Sequence, residues 1–185
     1  RLPSPIAFNH VVVRATLNGA FKWIDATATH QGGRGNSIVS VDYGYGLPIK
    51  PDQQDLEKMS GPDKRSGGMS VIEKYAVDEH GNPALSLLVE TVYTDADADW
   101  MRQRVAVKPV KDLSEDNLDF YRQRFADITE SIPLKIEDER DANRITMIEN
   151  YSLSGQAFKK EELLKNFISP AYALTNMLPS RQTAP

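Results

Sequence analysis

The sequence contains no cysteine. Disulfide bonds, thiolate metal sites and any covalent thiol chemistry carried by these residues alone are therefore excluded. No apolar run approaches the ~20 residues that a membrane helix needs, and no signal-peptide pattern is read in the chain. The chain starts at Arg1 rather than Met. Upstream sequence is thus expected to have been removed, and the residues themselves assign no compartment. Basic charge is in deficit, with 22 Lys and Arg against 26 Asp and Glu. That leaves no positive field for nucleic acid or anionic lipid, and no nucleic-acid partner is expected. What is present is 40% apolar and 26% charged residues over 185 positions, enough to bury a core in one large domain or two small ones.

Periodicity and turn chemistry divide the chain. Residues 9–17 are rich in β-branched side chains, and residues 20–26 carry Phe21, Trp23 and Ile24. Asn18-Gly19 between them tolerates the positive φ of a type I′ turn, which predicts a β-hairpin. Residues 31–36 (QGGRGN) form a Gly-rich loop, and residues 37–43 read as a further strand. Residues 50–68 are polar, with Pro51, Pro62, Gly61, Gly67 and Gly68, and read as a linker between a first unit, 1–49, and a second, 69–185.

In the second unit, residues 69–77 and 84–93 read as a hairpin joined through 78–83. Residues 94–104 are predicted as a short helix and 104–110 as a strand. Leu118, Tyr121, Phe125 and Ile128 recur at helical spacing, predicting a helix over 114–130 with Ser114 as N-cap and Pro133 marking its end. Residues 134–136 and 144–153 read as strands, and 161–168 as a last short helix. The expected class is α+β, mainly antiparallel β, with 69–185 a β-sandwich-like domain carrying one main helix.

The first hairpin has a definite register. With residues 18 and 19 as the loop, Leu17 faces Ala20, Arg14 faces Trp23, Val12 faces Asp25 and His10 faces Thr27. Alternation along the strands then puts His10, Val12, Arg14 and Thr16 on one face with Thr27, Asp25, Trp23 and Phe21. His10 and Asp25 become diagonal neighbours, with β-carbons roughly 7 Å apart or less, within reach of one imidazole–carboxylate hydrogen bond. A carboxylate on one ring nitrogen fixes the tautomer and turns the other nitrogen toward a nucleophile. On geometry alone the pair also fits a contact that merely supports the hairpin.

The residues around the pair carry more. The string Phe8-Asn9-His10-Val11-Val12-Val13, the turn Asn18-Gly19 and the string Trp23-Ile24-Asp25-Ala26-Thr27 resemble the second half of the transglutaminase-like catalytic core. Leu2-Pro3-Ser4 and Gly32-Gly33 resemble the bacterial members of that group. Ala26 stands where the family usually has Pro. The likeness covers about the first 35 residues, and the second unit resembles the β-rich region that follows this core in large bacterial proteins.

The resemblance implies a partial papain-like core hairpin and a Cys-His-Asp triad, in which His10 is the general base and acid and Asp25 its orienter. It implies attack on an amide carbonyl, a thioester, and transfer to water or an amine. The cysteine would lie upstream of His10, so the chain is expected to be the C-terminal part of a longer protein and inactive alone. Peptide or protein substrate would meet it through that parent, which the resemblance places in the periplasm or at the membrane. A missing N-terminal part or a second copy of the chain would cover the half-core.

Other signals are weaker. Asp95, Asp97 and Asp99 alternate as in a calcium loop, but Trp100 stands where glycine is needed and Ala106 where glutamate is needed. His30 and His80 have no second histidine or cysteine at ligand spacing, so no metal and no cofactor is expected. His30, five residues past Asp25, is a candidate to line the same cleft. Gly32-Gly33-Arg34-Gly35 lacks the lysine of a phosphate loop. Trp23 reads as core before cleft wall, and 137–144 as a solvated turn. The alternative to an enzyme is a non-catalytic protein-binding module on a degenerate core.

Overall fold

A computed structural model describes residues 10–17, 19–59, 67–77 and 83–153. The helix expected over 161–168, and His80, lie outside them. Strand β1 (Val13–Leu17) pairs antiparallel with β2 (Ala20–Ile24) in the register read from the turn, Leu17 opposite Ala20 and Arg14 opposite Trp23. Gly19 takes φ 80°, where a Cβ would be strained. The Arg14 guanidinium lies over Phe21 and Trp23, 5.0 and 5.5 Å from the ring centroids. These three residues therefore share one face, as alternation requires.

Residues 37–43 are not a strand. A 3-10 turn occupies Gly35–Ser37, and the chain beyond it runs along the outer side of β2. Val41 N donates to Trp23 O (3.1 Å), but Trp23 N donates to the Ser40 hydroxyl (3.0 Å). A side chain thus takes the donor that a ladder would need. Farther on, β3 (Tyr45–Gly46) pairs with β4 (Glu57–Lys58), and Met59 packs against Gly46 with 1% of its surface exposed. Residues 57–59, within the segment read as linker, are therefore folded onto the first unit.

The second unit is a four-stranded antiparallel sheet in the order β5-β6-β8-β7, formed by β5 (Gly68–Val77), β6 (Pro83–Thr94), β7 (Ile128–Glu139) and β8 (Arg144–Leu153). Helices α1 (Asp95–Val107) and α2 (Val110–Arg122) connect β6 to β7 and cover one face. One core cluster joins Leu87, Val89, Tyr151 and Leu153 of the sheet to Leu118 and Tyr121 of α2. A second joins Ile145, Met147 and Leu134 to Met101 of α1 and Leu113 of α2. Each such side chain contributes about 1.5–3 kcal/mol by leaving water. The α+β class with antiparallel strands holds. The layer on the sheet's inner face is two helices, however, which corrects the sandwich with one main helix.

The helix boundaries differ from expectation for physical reasons. Residues 104–107 continue α1, because Ala98, Met101 and the half-buried Val105 form one inward stripe that outweighs the β-branched side chains. Pro109 then separates the helices and precedes the first turn of α2. Ser114 is not a cap but a buried residue inside α2 whose hydroxyl donates to Glu130. Phe125 and Ile128 are core as expected, yet they lie past the helix end. Pro133 sits inside β7, where the register shifts between Glu130 and Ile132 and again between Ile132 and Lys135. On an edge strand at a bulge, a missing N–H costs no ladder bond.

Arg102 joins the two units. It occupies the inward stripe of α1 and is 5% exposed. Its Nε donates to both oxygens of Asp138 (2.9 and 3.1 Å), and its Nη1 to Asp99 Oδ1 (2.9 Å), Asn143 Oδ1 (2.8 Å) and the His30 carbonyl (3.4 Å). Gly32 N also donates to Asp99 (2.8 Å), and Arg140 donates to the carbonyls of Thr29 and Gln31. A Cβ at Gly32 would lie 2.5 Å from Arg102 Nη1, so only glycine fits there. Among the described residues no helix is long and apolar enough to cross a membrane.

Two outcomes are expected. Arg102→Met leaves Asp99 and Asp138 without their cation and should lower unfolding free energy by about 2–4 kcal/mol, since partial exposure of Asp138 screens part of the loss. A shift of the urea midpoint worth less than about 1 kcal/mol would contradict the clamp. Glu149 is 6% exposed, and burial raises its pKa above the ordinary 4.5 against the hydrogen bond from Asn117. The folded state therefore holds this proton more tightly than the unfolded chain, and charging Glu149 costs stability as pH rises past the unfolded value. Glu149→Gln should gain stability relative to the parent as pH rises past the ordinary glutamate value of about 4.5, and a difference flat with pH would refute this.

Candidate functional site

The hairpin brings the two sequence-predicted site residues together. His10 Nε2 lies 2.7 Å from Asp25 Oδ2. The contact is diagonal, as the register requires, although the described ladder begins only at Val13. Asp25 is nearly buried, with 10% of its side chain exposed, while the His10 side chain is 35% exposed. The acid is thus fixed in the protein and the imidazole keeps access to solvent.

Local chemistry explains the fixed acid. After β2 the chain turns, with Ala28 N donating to Asp25 O (3.2 Å). Thr27 N (2.9 Å) and Thr27 Oγ1 (2.7 Å) both donate to Asp25 Oδ1, an aspartate-led turn of the kind short polar side chains favour. Tyr43 OH donates to Oδ2 (3.2 Å), and the Tyr43 ring meets the His10 ring edge-on, with centroids 5.4 Å apart. Oδ1 therefore carries the threonine donors, and Oδ2 carries His10 and the phenol.

These bonds set the charge. The Thr27 hydroxyl, then the Thr27 amide, then His10 hold the Asp25 carboxyl well below the usual carboxylate range, against the opposing effect of burial. Desolvation, and then the Asp25 carboxylate it faces, raise the Tyr43 phenol, which keeps its proton as a donor. An ionised carboxylate only accepts, so the His10 Nε2 in contact with it carries the hydrogen. Neutral His10 then has its lone pair on Nδ1, the nitrogen turned away from the acid. The arrangement can take a proton at Nδ1 and stabilise the resulting imidazolium through Asp25.

Of the remaining candidates, His30 lines a cleft with Thr27 and so lies next to the pair's supporting residue. Trp23 is buried at 9% exposure and serves as core. Asp99 accepts from Gly32 N and Arg102 Nη1, and among the described residues no group of three or more acidic and histidine side chains is placed to hold a metal. Sequence reasoning left Tyr43 without a role, because eighteen residues of irregular chain separate it from Asp25. Arg102 was missed for a similar reason, since a charge on an apolar stripe reveals no partner. Thr27 carried a usable signal in the Asp-x-Thr spacing. The chain matches no family model, no curated protein and no solved structure.

The order of the causes makes a test. Thr27→Val removes the largest of them and should raise the Asp25 pKa, followed by carboxyl carbon chemical shift against pH. Tyr43→Phe removes the smallest and should raise it less. A Thr27→Val titration that superimposes on the parent would show that the turn does not hold the charge.

Proposed function

We propose that this chain supplies the histidine and aspartate of a thiol acyltransferase or peptidase of transglutaminase-like type. The supporting observation is the solvent-accessible His10 imidazole whose Nε2 is anchored on a threonine-pinned carboxylate. The residue pattern around the hairpin supports the same reading. Since the sequence has no cysteine, the thiol comes from polypeptide outside these 185 residues, and the chain alone is inactive. In the assembled site, His10 Nδ1 takes the thiol proton and the thiolate attacks an amide carbonyl. The departing amine recovers that proton from the imidazolium, leaving a thioester. Water or a second amine then opens it, giving its proton to Nδ1 and freeing the thiol.

The first unit also has surface for the completing segment. Phe21, Tyr43, Tyr45, Leu56 and Ile49 are each more than half exposed, with Ile49 at 90%. A polypeptide carrying the thiol would cover this apolar surface. The same patch suits the second reading, a protein-binding module in which the His–Asp pair only braces the hairpin.

Alkylation separates the two. In the full reading frame that contains these residues, one cysteine should react rapidly with iodoacetamide between about pH 5 and pH 8, as an activated thiolate does. His10→Ala should slow that reaction and lower acyl transfer by about 10²–10⁴-fold. A reading frame without cysteine, or a thiol indifferent to His10, establishes the binding module instead.

A further inference from the structure

Strand β5 forms one border of the four-stranded sheet, and among the described residues no strand pairs with its outward side. We propose that this border pairs with β5 of a second copy of the chain. The two strands run antiparallel about a two-fold axis at Ile72 and join the two sheets edge to edge. None of the residues involved belongs to the first unit, so the pairing does not rest on the acyl-transfer reading.

Free sheet borders are normally spoiled by bulges or proline, or covered by another element. The opposite border, β7, is spoiled in this way by two register shifts and Pro133. β5 holds no proline, and its ladder with β6 is regular from Gly68 until the shift between Ala76 and Val77. Its outward N–H and C=O groups therefore stand in a straight row at the spacing that a further strand requires.

The side chains show what shape of partner fits. The Glu73 carboxylate accepts from the Tyr121 phenol and the Tyr75 ring meets Phe125, so the odd-numbered residues of β5 face the helices. Ser70, Ile72 and Lys74 lie on the opposite face by alternation. Met69 and Val71, on the helix side, are 42% and 47% exposed, and Ile72, on the other side, is 48% exposed. Apolar surface is thus left open on both faces of the border. A strand laid alongside covers both, whereas a helix or loop packed on one face covers only that one.

The occupant is a second copy because β5 complements its own reverse. In an antiparallel pair, opposing side chains point to the same side, so a residue and not a gap must lie on the axis. With Ile72 there, Ile72 meets Ile72, Val71 meets Glu73, Ser70 meets Lys74 and Met69 meets Tyr75, a thioether against an aromatic ring. No like charges face each other, and residues 68–76 all pair. Moving the axis to Glu73 or Lys74 sets two carboxylates or two ammonium groups directly opposite. Moving it to Val71 shortens the ladder to residues 68–74. The contact closes on itself, as a two-fold interface does. It is smaller than the roughly 20–30 residues a side of a standard interface, so a Kd of about micromolar order is expected.

The test uses the whole chain, by sedimentation and by disulfide trapping. Since the sequence has no cysteine, one introduced thiol reports one position. A dimer should be present at about 200 μM, and Ile72→Lys, which sets two ammonium groups on the axis, should weaken it tenfold or more. Under oxidised glutathione, Ile72→Cys should cross-link as a dimer, because opposing Cα atoms about 4.5–5.5 Å apart fall within disulfide range. Ser70→Cys and Lys74→Cys should each fail alone and cross-link when mixed. These exposed positions keep the fold, and the trapping series decides the register even if Ile72→Lys disturbs it. A monomer at about 200 μM would overturn the proposal, leaving the border to another occupant. Ser70→Cys cross-linking alone as fast as Ile72→Cys, or a dimer undiminished in Ile72→Lys, would do the same.

Discussion

The buried guanidinium of Arg102 is the constraint on which the arrangement of the two units depends. It occupies a position on α1 where an apolar residue would ordinarily pack, and it is tolerated there because Asp99, Asp138, Asn143 and a backbone carbonyl surround it. A charge so placed adds little net stability while all partners are present, but removing any one exposes the desolvation cost of the rest. That asymmetry fixes α1, β7, the turn before β8 and the loop after Asp25 as one body. Gly32 completes it, since a side chain there would displace the guanidinium.

The candidate pair is built on the opposite principle. Asp25 is held by bonds within its own turn and by Tyr43, all short-range in space, while His10 stands partly in solvent just ahead of β1. The carboxylate is preorganised and the imidazole is reachable, an arrangement compatible with the proposed proton transfer. The loop that begins at Asp25 ends in the Arg102 clamp. The second unit therefore bears on the proposed site without contributing a residue to it.

What the sequence revealed follows the range of the interactions. The first hairpin and its register were legible because the turn residues and the two-residue alternation are local, and so were the strands within 69–77, 84–93 and 144–153. Helix boundaries failed where packing overruled propensity. Val105 and Val107 suggest a strand but belong to α1, and Phe125 and Ile128 keep helical spacing although they lie beyond α2. Ser114 looked like a cap because serine so often is one, whereas here its hydroxyl satisfies Glu130. His10 and Asp25 could be paired from register alone. Tyr43 and Arg102 could not, since their partners lie eighteen or more residues away without a periodic pattern, apart from Asp99 within the same helix.

The interruptions in β7 reach beyond this single chain. Its two register shifts and Pro133 spoil one border of the sheet as a template for a further strand, while β5 keeps a regular ladder from Gly68 to Ala76 on the other border. Among the described residues, the two borders of the four-stranded sheet therefore differ in how well they could template a further strand. The bulged strand is thus a border that discourages edge-to-edge growth of this sheet from the β7 side.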